Sequence, residues 1–531
     1  MSETNRSSNL TRREFVSTAT AATAAAALPG GAVLAQTPAK YRRLNISEPG
    51  FPVRVLDSYK KAIRAMLALP PTDPRNWYRN ALVHTMDCPH GNWWFLVWHR
   101  GYIGWFEQIC RELSGDPDFT LPYWDWTKEP RVPAAMFDDV LTPVNAAYIP
   151  AFNDFKTAFS APLDGIWNGL STDQFNTLLA RGLRFPADLW WDIENYPMFF
   201  DTTNARGLTP QQPGFDTDTQ KAVSLPTVLN ALAPRDFLTF GSAKTLSHGS
   251  ITGFGVLEQQ PHNRVHNCVG GFYMNPRRTG FMQDNLSPVD PLFFLHHANI
   301  DRLWDVWTRK QQAYKYPILP AGDDLVTWSK EKFLFFTDSK GAPVTKTVAG
   351  DYAAIGDFNY DYQPGSGEEV VPKVAVAALQ AARPVQSFSV QMTNSSIGAS
   401  KPAAGSVRLS DQLLAGSGAA APALFAKVTI ATLPLAHEHD FTVQIGNSAN
   451  PAENETLTIS MFGRHAMLAP VTFTVPLSAA VGKLRSNKLL AANAPLNIRV
   501  VPQKAAMAPM AMRGQESGGG AEVLSIVVEA H

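Results

Sequence analysis

Cysteine is scarce: Cys88, Cys110 and Cys268 are the only three in 531 residues. So few exclude a disulfide framework, and their spacing fits neither a zinc ribbon nor a redox pair. An excess of one charge sign is also missing. Lys plus Arg and Asp plus Glu number 46 each, which gives no footprint for nucleic acid or an anionic membrane surface and leaves a small molecule as the expected partner. Past the first 35 residues no run is long and apolar enough to span a bilayer, so a soluble mature protein is expected. There is no internal repeat. What the chain does have is 45% hydrophobic residues, enough for a substantial core and, at this length, for two or more domains.

Residues 1–35 read as an export signal. Thr11-Arg12-Arg13-Glu14-Phe15-Val16 precedes an Ala-rich stretch with no charge from Val16 to Ala39, and Val33-Leu34-Ala35 is a small-residue cleavage site. The paired arginines resemble a twin-arginine signal, which implies the twin-arginine export machinery as a partner and a periplasmic or extracellular destination. Residues 36–362 are rich in Trp, Phe and Pro with helical patches, and form the expected catalytic domain. Residues 363–385, with Pro-Gly-Ser-Gly, read as a linker or crossing strap. In 386–531 the texture changes to alternation, as in Phe441-Thr442-Val443-Gln444-Ile445, Thr456 to Ile459, Val471 to Val475, Leu496 to Val501 and Val523 to Val528. That pattern predicts a C-terminal antiparallel β-sandwich. Residues 503–520 break it with Met507, Met510, Met512 and three consecutive glycines, read as a flexible loop before the last strand.

Of 12 histidines, seven fall in two windows: His84, His90 and His99, then His262, His266, His296 and His297. Taken singly, a histidine is more often a satisfied core or surface residue than a ligand; the clustering points to metal. In Pro261-His262-Asn263-Arg264-Val265-His266 two imidazoles four residues apart share one helix face. A third comes from Asp290-Pro291-Leu292-Phe293-Phe294-Leu295-His296-His297, where a helix is expected to start after Pro291 and only one of the paired histidines can face the site. Asp301, four residues after His297, is placed to accept a ligand's ring N–H or to anchor Arg302. An all-imidazole set suits copper and would also suit zinc, whereas magnesium and calcium demand oxygen ligands.

These two windows resemble the copper A and copper B motifs of the tyrosinase, catechol oxidase and molluscan haemocyanin superfamily. The likeness covers both triplets, the nine-residue step from His90 to His99, the Pro-His-Asn-Arg-Val-His string and the run from Asp290 to Trp304. It extends over about Asn45 to Tyr362, where Tyr360-Asp361-Tyr362 is similar to the tyrosine pair that closes the family's catalytic domain. It implies a mainly α-helical domain whose four-helix bundle holds a dinuclear copper site. His84, His90 and His99 would bind one copper, and His262, His266 and His297 the other, with His296 a neighbour. The C-terminal region is similar in strand texture to the shielding domain of plant polyphenol oxidases. It is expected to cap the site, with Met461 or Phe462 as candidates to reach toward the coppers.

The resemblance implies oxidation of phenols or catechols to o-quinones with O2 as co-substrate, the chemistry behind melanin. Hydroxylating a monophenol needs a base, and Glu258 with Asn263 resemble the pair that holds a water for that purpose. That favours a tyrosinase; the alternatives are a catechol oxidase or a haemocyanin-like oxygen carrier. Phe293, four before His297, and Asn267, after His266, are candidates for the substrate pocket, though Asn267 casts no vote between the two activities. Cys88-Pro89-His90 resembles the thioether link between a cysteine and a copper A histidine found in some relatives, while Cys110 and Cys268 read as buried small hydrophobes that would pair only with Cα atoms within about 7 Å.

Overall fold

The structure, a computed structural model, describes residues 39–189, 205–276, 278–373, 385–397, 402–414, 422–431, 440–447, 453–462, 470–491, 493–502 and 521–531. The export signal expected in 1–35 and the Met507, Met510 and Met512 loop lie outside them.

The first half is helical. Helices α1 (Val53–Ala68), α2 (Trp77–Asp87), α3 (Phe95–Ser114), α4 (Asn263–Gly270) and α5 (Leu292–Tyr314) carry or support the histidines. Local chemistry sets their ends. Asn76 caps α2 by accepting from the N–H groups of Tyr78 and Arg79, and Gly115 ends α3 at φ 68°, a left-handed turn that glycine enters without a Cβ penalty. Helix α5 starts after Pro291, with Asp290 accepting from Leu292 N at 3.0 Å while Arg206 neutralises it. Every residue from Leu292 to Trp304 is buried, as befits a helix at the centre of a bundle. Gly104 lets α3 lie against Phe358, whose ring a Cβ there would overlap.

Strands β1 (Tyr41–Arg43) and β3 (Tyr360–Tyr362) pair in parallel and bring the two ends of the helical half together. Arg43 is wholly buried there, bonded to Glu107 at 2.8 Å and to the Tyr362 hydroxyl at 2.8 Å, and stacked 3.5 Å above the Tyr360 ring. Residues 363–371 then run as a strap on this half: Gln363 N donates to Arg43 O, Ser366 bonds Asp125, and Glu368 pairs with Arg309.

The second half is a sandwich of two five-stranded sheets. One has the order β2 (Gly253–Phe254), β10 (Val471–Pro476), β7 (Leu424–Ile430), β12 (Val523–Ala530), β4 (Gln386–Ser389); the other β5 (Gln391–Asn394), β6 (Ala403–Val407), β11 (Leu496–Pro502), β8 (Phe441–Ile445), β9 (Glu455–Ile459). Inward residues such as Val428, Val443, Phe473, Ile498 and Ile526 alternate with outward ones and build a separate core. Among the described residues of 386–531 every strand pairing is antiparallel, as expected, and the sandwich takes in one further strand from outside that range. Strand β2 belongs to the helical half and pairs in parallel with β10, Gly253 to Thr472 and Phe254 to Phe473, so the two halves share a sheet. A two-residue strand carries too little pattern to be read from sequence.

Candidate metal centre

The four histidine-bearing helices bring both windows to one buried place. His84 sits on α2, His99 on α3, His262 and His266 at the start and on the inner face of α4, and His297 on α5; His90 lies on the loop joining α2 to α3. That loop turns on Gly91, at φ 60°, where a Cβ would meet Ile251 at 2.6 Å.

The unused ring nitrogens decide what these imidazoles can do. Nδ1 of His84 donates to Asn285 O at 2.7 Å, that of His99 to Phe95 O at 2.8 Å, that of His266 to Met282 O at 2.8 Å and that of His262 to Asn263 Oδ1 at 2.8 Å. A proton held on Nδ1 leaves a lone pair on Nε2, the tautomer a metal requires. Those Nε2 atoms then face one another: 3.5 Å between His99 and His84, 3.4 Å between His262 and His297, 3.1 Å between His266 and His297. A single proton on His297 could serve one of its two contacts but not both, whereas a cation satisfies all three nitrogens. Metal–imidazole bonds of about 2.0–2.1 Å set ligand nitrogens about 3–3.4 Å apart. The donor set fits a pair of first-row metal ions.

Burial keeps the rings neutral. It pushes His99, His266 and His297 well below the ordinary histidine value, helped by neighbouring rings, and takes His262 down to about 3. Neutral imidazole is the ligating form.

Proximity alone would add His296 to the second group, since it, His262, His266 and His297 have ligand atoms within 4.8 Å of one another. Its tautomer separates it. The Trp126 indole N–H donates to His296 Nδ1 at 3.2 Å, so that nitrogen carries no proton and Nε2 does. The same proximity groups Cys88 with His84 and His90. The Cys88 sulfur lies 3.4 Å from His90 Nδ1, and burial pushes its thiol up to about 12, so as a free thiol it is a neutral neighbour. Cys110 and Cys268 are buried free thiols.

Several expected site residues have other partners. Asp301 does not reach a histidine ring or Arg302. Its carboxylate accepts from Arg100 Nε at 2.6 Å and from the Tyr360 and Tyr362 hydroxyls at 2.6 and 2.5 Å, tying α5 to α3 one residue after His99. Arg302 bonds Asn299 and Ser366 instead. Glu258 is fully buried, and its oxygens accept from Gly91 N–H at 2.8 Å and from the Ser242 hydroxyl. Burial raises its pKa well above the usual carboxyl value while those two bonds oppose the rise. No hydrogen bond joins Glu258 to Asn263, whose amide donates to Ser460 O at 2.9 Å. Asn267 likewise donates to Met461 O at 2.6 Å. Phe293 packs inside the cluster, with ring centroids 4.1 Å from His297 and 5.1 Å from His84.

Ser460 and Met461 belong to the β half. The segment after β9 crosses into the histidine cluster and seats the Phe462 ring with centroids 4.2 Å from His266, 4.9 Å from His90, 5.7 Å from His262 and 6.4 Å from His84. Phe462 is 1% exposed. Asp440, before β8, anchors the same segment by pairing with Arg264 at 3.2 Å and accepting from the Tyr273 hydroxyl at 2.6 Å.

One residue outside the windows was not singled out from sequence. Buried His248 bridges Glu331 at 2.6 Å and Asp87 at 3.1 Å, and Asp87 also accepts from the Trp98 indole at 2.8 Å, beside His99. Burial lowers its affinity for a proton, but the two carboxylates outweigh that and raise it to about 9. A folded value above the ordinary 6.5 stabilises the protein fully below about pH 6.5, and the contribution is lost as pH rises through about 9. The amount is on the order of 3 kcal/mol. The melting temperature is expected to fall between pH 7 and 10, and His248→Gln to flatten that fall; a variant with the same slope would exclude this clamp as its source.

Residues 71–310 match the family model described as the common central domain of tyrosinase. A chloroplastic polyphenol oxidase of Spinacia oleracea is 28% identical over 321 residues, 56% of this chain and 43% of that one. A tyrosinase of a Hahella species is 27% identical over 352 residues, 58% of this chain and 60% of that one. The chain thus spans about half the length of the curated relatives it matches. A solved structure of latent apple tyrosinase superposes with TM-score 0.55 at 18% identity, covering 95% of this chain and 100% of that one, and shares its fold.

Proposed function

We propose that this chain, whose residues 71–310 match the common central domain of tyrosinase, is an exported dicopper oxidase that uses O2 to convert phenols and catechols to o-quinones, held latent by its own β half. The observation that carries the reading is the convergence of histidine Nε2 atoms at 3.1–3.5 Å, with His84, His99, His262 and His266 anchored through Nδ1. His84, His90 and His99 would hold one copper, and His262, His266 and His297 the other. When bound, the copper pair supplies dioxygen binding and electron transfer.

The chain's own groups do the rest. The carbonyls of Asn285, Phe95 and Met282 fix the ring tautomers, and the Arg100–Asp301 pair holds α3 at a set distance from α5. Glu258, buried with its oxygens accepting from Gly91 N–H and the Ser242 hydroxyl, is the proposed base for a monophenol, and Asn263 holds His262 through its side-chain oxygen. Phe293 walls the cluster from within. Phe462 excludes substrate while the β half is seated.

The test is oxygen consumption and quinone absorbance of copper-loaded protein given a monophenol and then its catechol, before and after limited proteolysis in the 363–385 connection. Turnover of both, rising after the cut, is the expected result. Catechol turnover alone would make it a catechol oxidase, and reversible oxygen uptake without quinone would overturn the enzyme reading.

The Cys88 sulfur and His90 ring are close enough for the proposed thioether, which would lock the ring. Peptide mass analysis of copper-loaded protein is expected to show 88 and 90 joined and two hydrogens lighter, and the same spectra to show a mature chain beginning after Ala35. An alkylatable Cys88 thiol would exclude the link.

A further inference from the structure

Four side-chain amides beside the histidine cluster all donate to main-chain carbonyls of one segment of the β half. Gln259 and Gln260 reach Thr458 O at 2.7 and 2.6 Å, Asn263 reaches Ser460 O at 2.9 Å, and Asn267 reaches Met461 O at 2.6 Å. Among the described residues none of the four bonds a side chain of that segment. The carbonyls stand four, two and one residues before Phe462, whose ring occupies the cluster. Gln259 Oε1 is buried with no partner, an acceptor the segment leaves unused and a peptide N–H could take.

Main-chain carbonyls are common to every polypeptide, so this array reads an extended chain and is indifferent to its side chains. A free phenol brings no such acceptors and leaves the four amides to water, so it gains nothing from them, whereas a polypeptide does. We propose that the opened site takes a phenol carried on a polypeptide, a tyrosyl or dopa residue whose upstream chain lies where Thr458 to Met461 lie and whose ring replaces that of Phe462. The inference rests on the dicopper-oxidase reading and names its substrate class. For a tyrosyl residue one phenol and one O2 give one o-quinone and one water. One oxygen atom enters the ring beside the hydroxyl, the displaced ring hydrogen and the hydroxyl hydrogen leave with the other as water, and the ring supplies the four electrons that reduce O2.

The first test uses the full chain. Copper-loaded Phe462→Tyr, exposed to air and then mildly reduced, is expected to gain one oxygen atom at position 462 by peptide mapping, about tenfold more slowly when Gln259→Leu and Gln260→Leu are added. No gain in a preparation that hydroxylates an added monophenol would overturn the proposal. The second test uses the chain cut in the 363–385 connection, with Asp440→Ala added to release the segment. The peptide acetyl-Thr-Ile-Ser-Met-Tyr-amide and its dopa counterpart are expected to show kcat/KM at least about tenfold above acetyl-tyrosine amide and acetyl-dopa amide. A ratio near one would overturn the proposal even where catechol turns over freely. Loss of catechol oxidation in every preparation would instead count against the dicopper-oxidase reading itself.

Discussion

Replacing Phe462 with alanine in the uncut chain is expected to raise catechol oxidation by roughly 100-fold. The ring is almost wholly buried against His266, His90 and His262, so it is the part of the β half that stands among the histidines. Truncating a buried phenylalanine costs about 3–5 kcal/mol of packing. The remaining contacts of the segment, the four amide bonds and the Arg264–Asp440 pair, are polar and exchangeable with water. Loss of about 2.7 kcal/mol from the seated state multiplies the open fraction about 100-fold. The variant also vacates room over the metals. Initial rates at matched copper content check this, and Phe462→Leu is expected to fall between the two. A Phe462→Ala chain as slow as the original, yet activated by proteolysis, would show that the β half inhibits by another route.

The second large effect separates two adjacent residues. His297→Ala is expected to lower bound copper from two to one per chain and to cut turnover at least about 100-fold, since even outer-shell partners of metal ligands are worth 10- to 100-fold. His296→Ala is expected to keep both coppers. The distinction rests on one proton. His297 aims Nε2 at His266 and His262, while His296 has Nδ1 occupied by the Trp126 indole and so holds its proton on Nε2. Metal analysis of the purified variants decides it. Equal copper loss from both would mean that the paired histidines share the ion. Trp126→Phe, which frees His296 Nδ1, should leave the copper content unchanged.

Much of this was legible because it is local. Histidines four apart share a helix face, a Pro-initiated helix carries the paired histidines, and five of the sandwich strands announce themselves by alternation; none of these needs knowledge of what lies across the molecule. Strand β2 was not legible, since two residues carry no period and its partner β10 lies more than 200 residues away. Asp301 shows the same limit. Its position four residues after His297 suggested a ring N–H or Arg302, yet its partners are Arg100, 201 residues earlier, and two tyrosines about 60 residues later. The Glu258 carboxylate similarly finds Gly91, 167 residues back.

The sequence by itself determined the donor type, the two windows, the helical and β halves, and the expectation that a segment near Met461 and Phe462 approaches the metals. Only the tertiary structure decided which of the two paired histidines presents a free nitrogen, which carbonyls and which side chain anchor the rings of His84, His99, His266 and His262, and that Phe462 is seated among them. The physical reason is range. Helix and strand periods are set within a few residues, whereas a tautomer, a buried carboxylate or a plugged cavity is settled by groups that packing brings from distant parts of the chain.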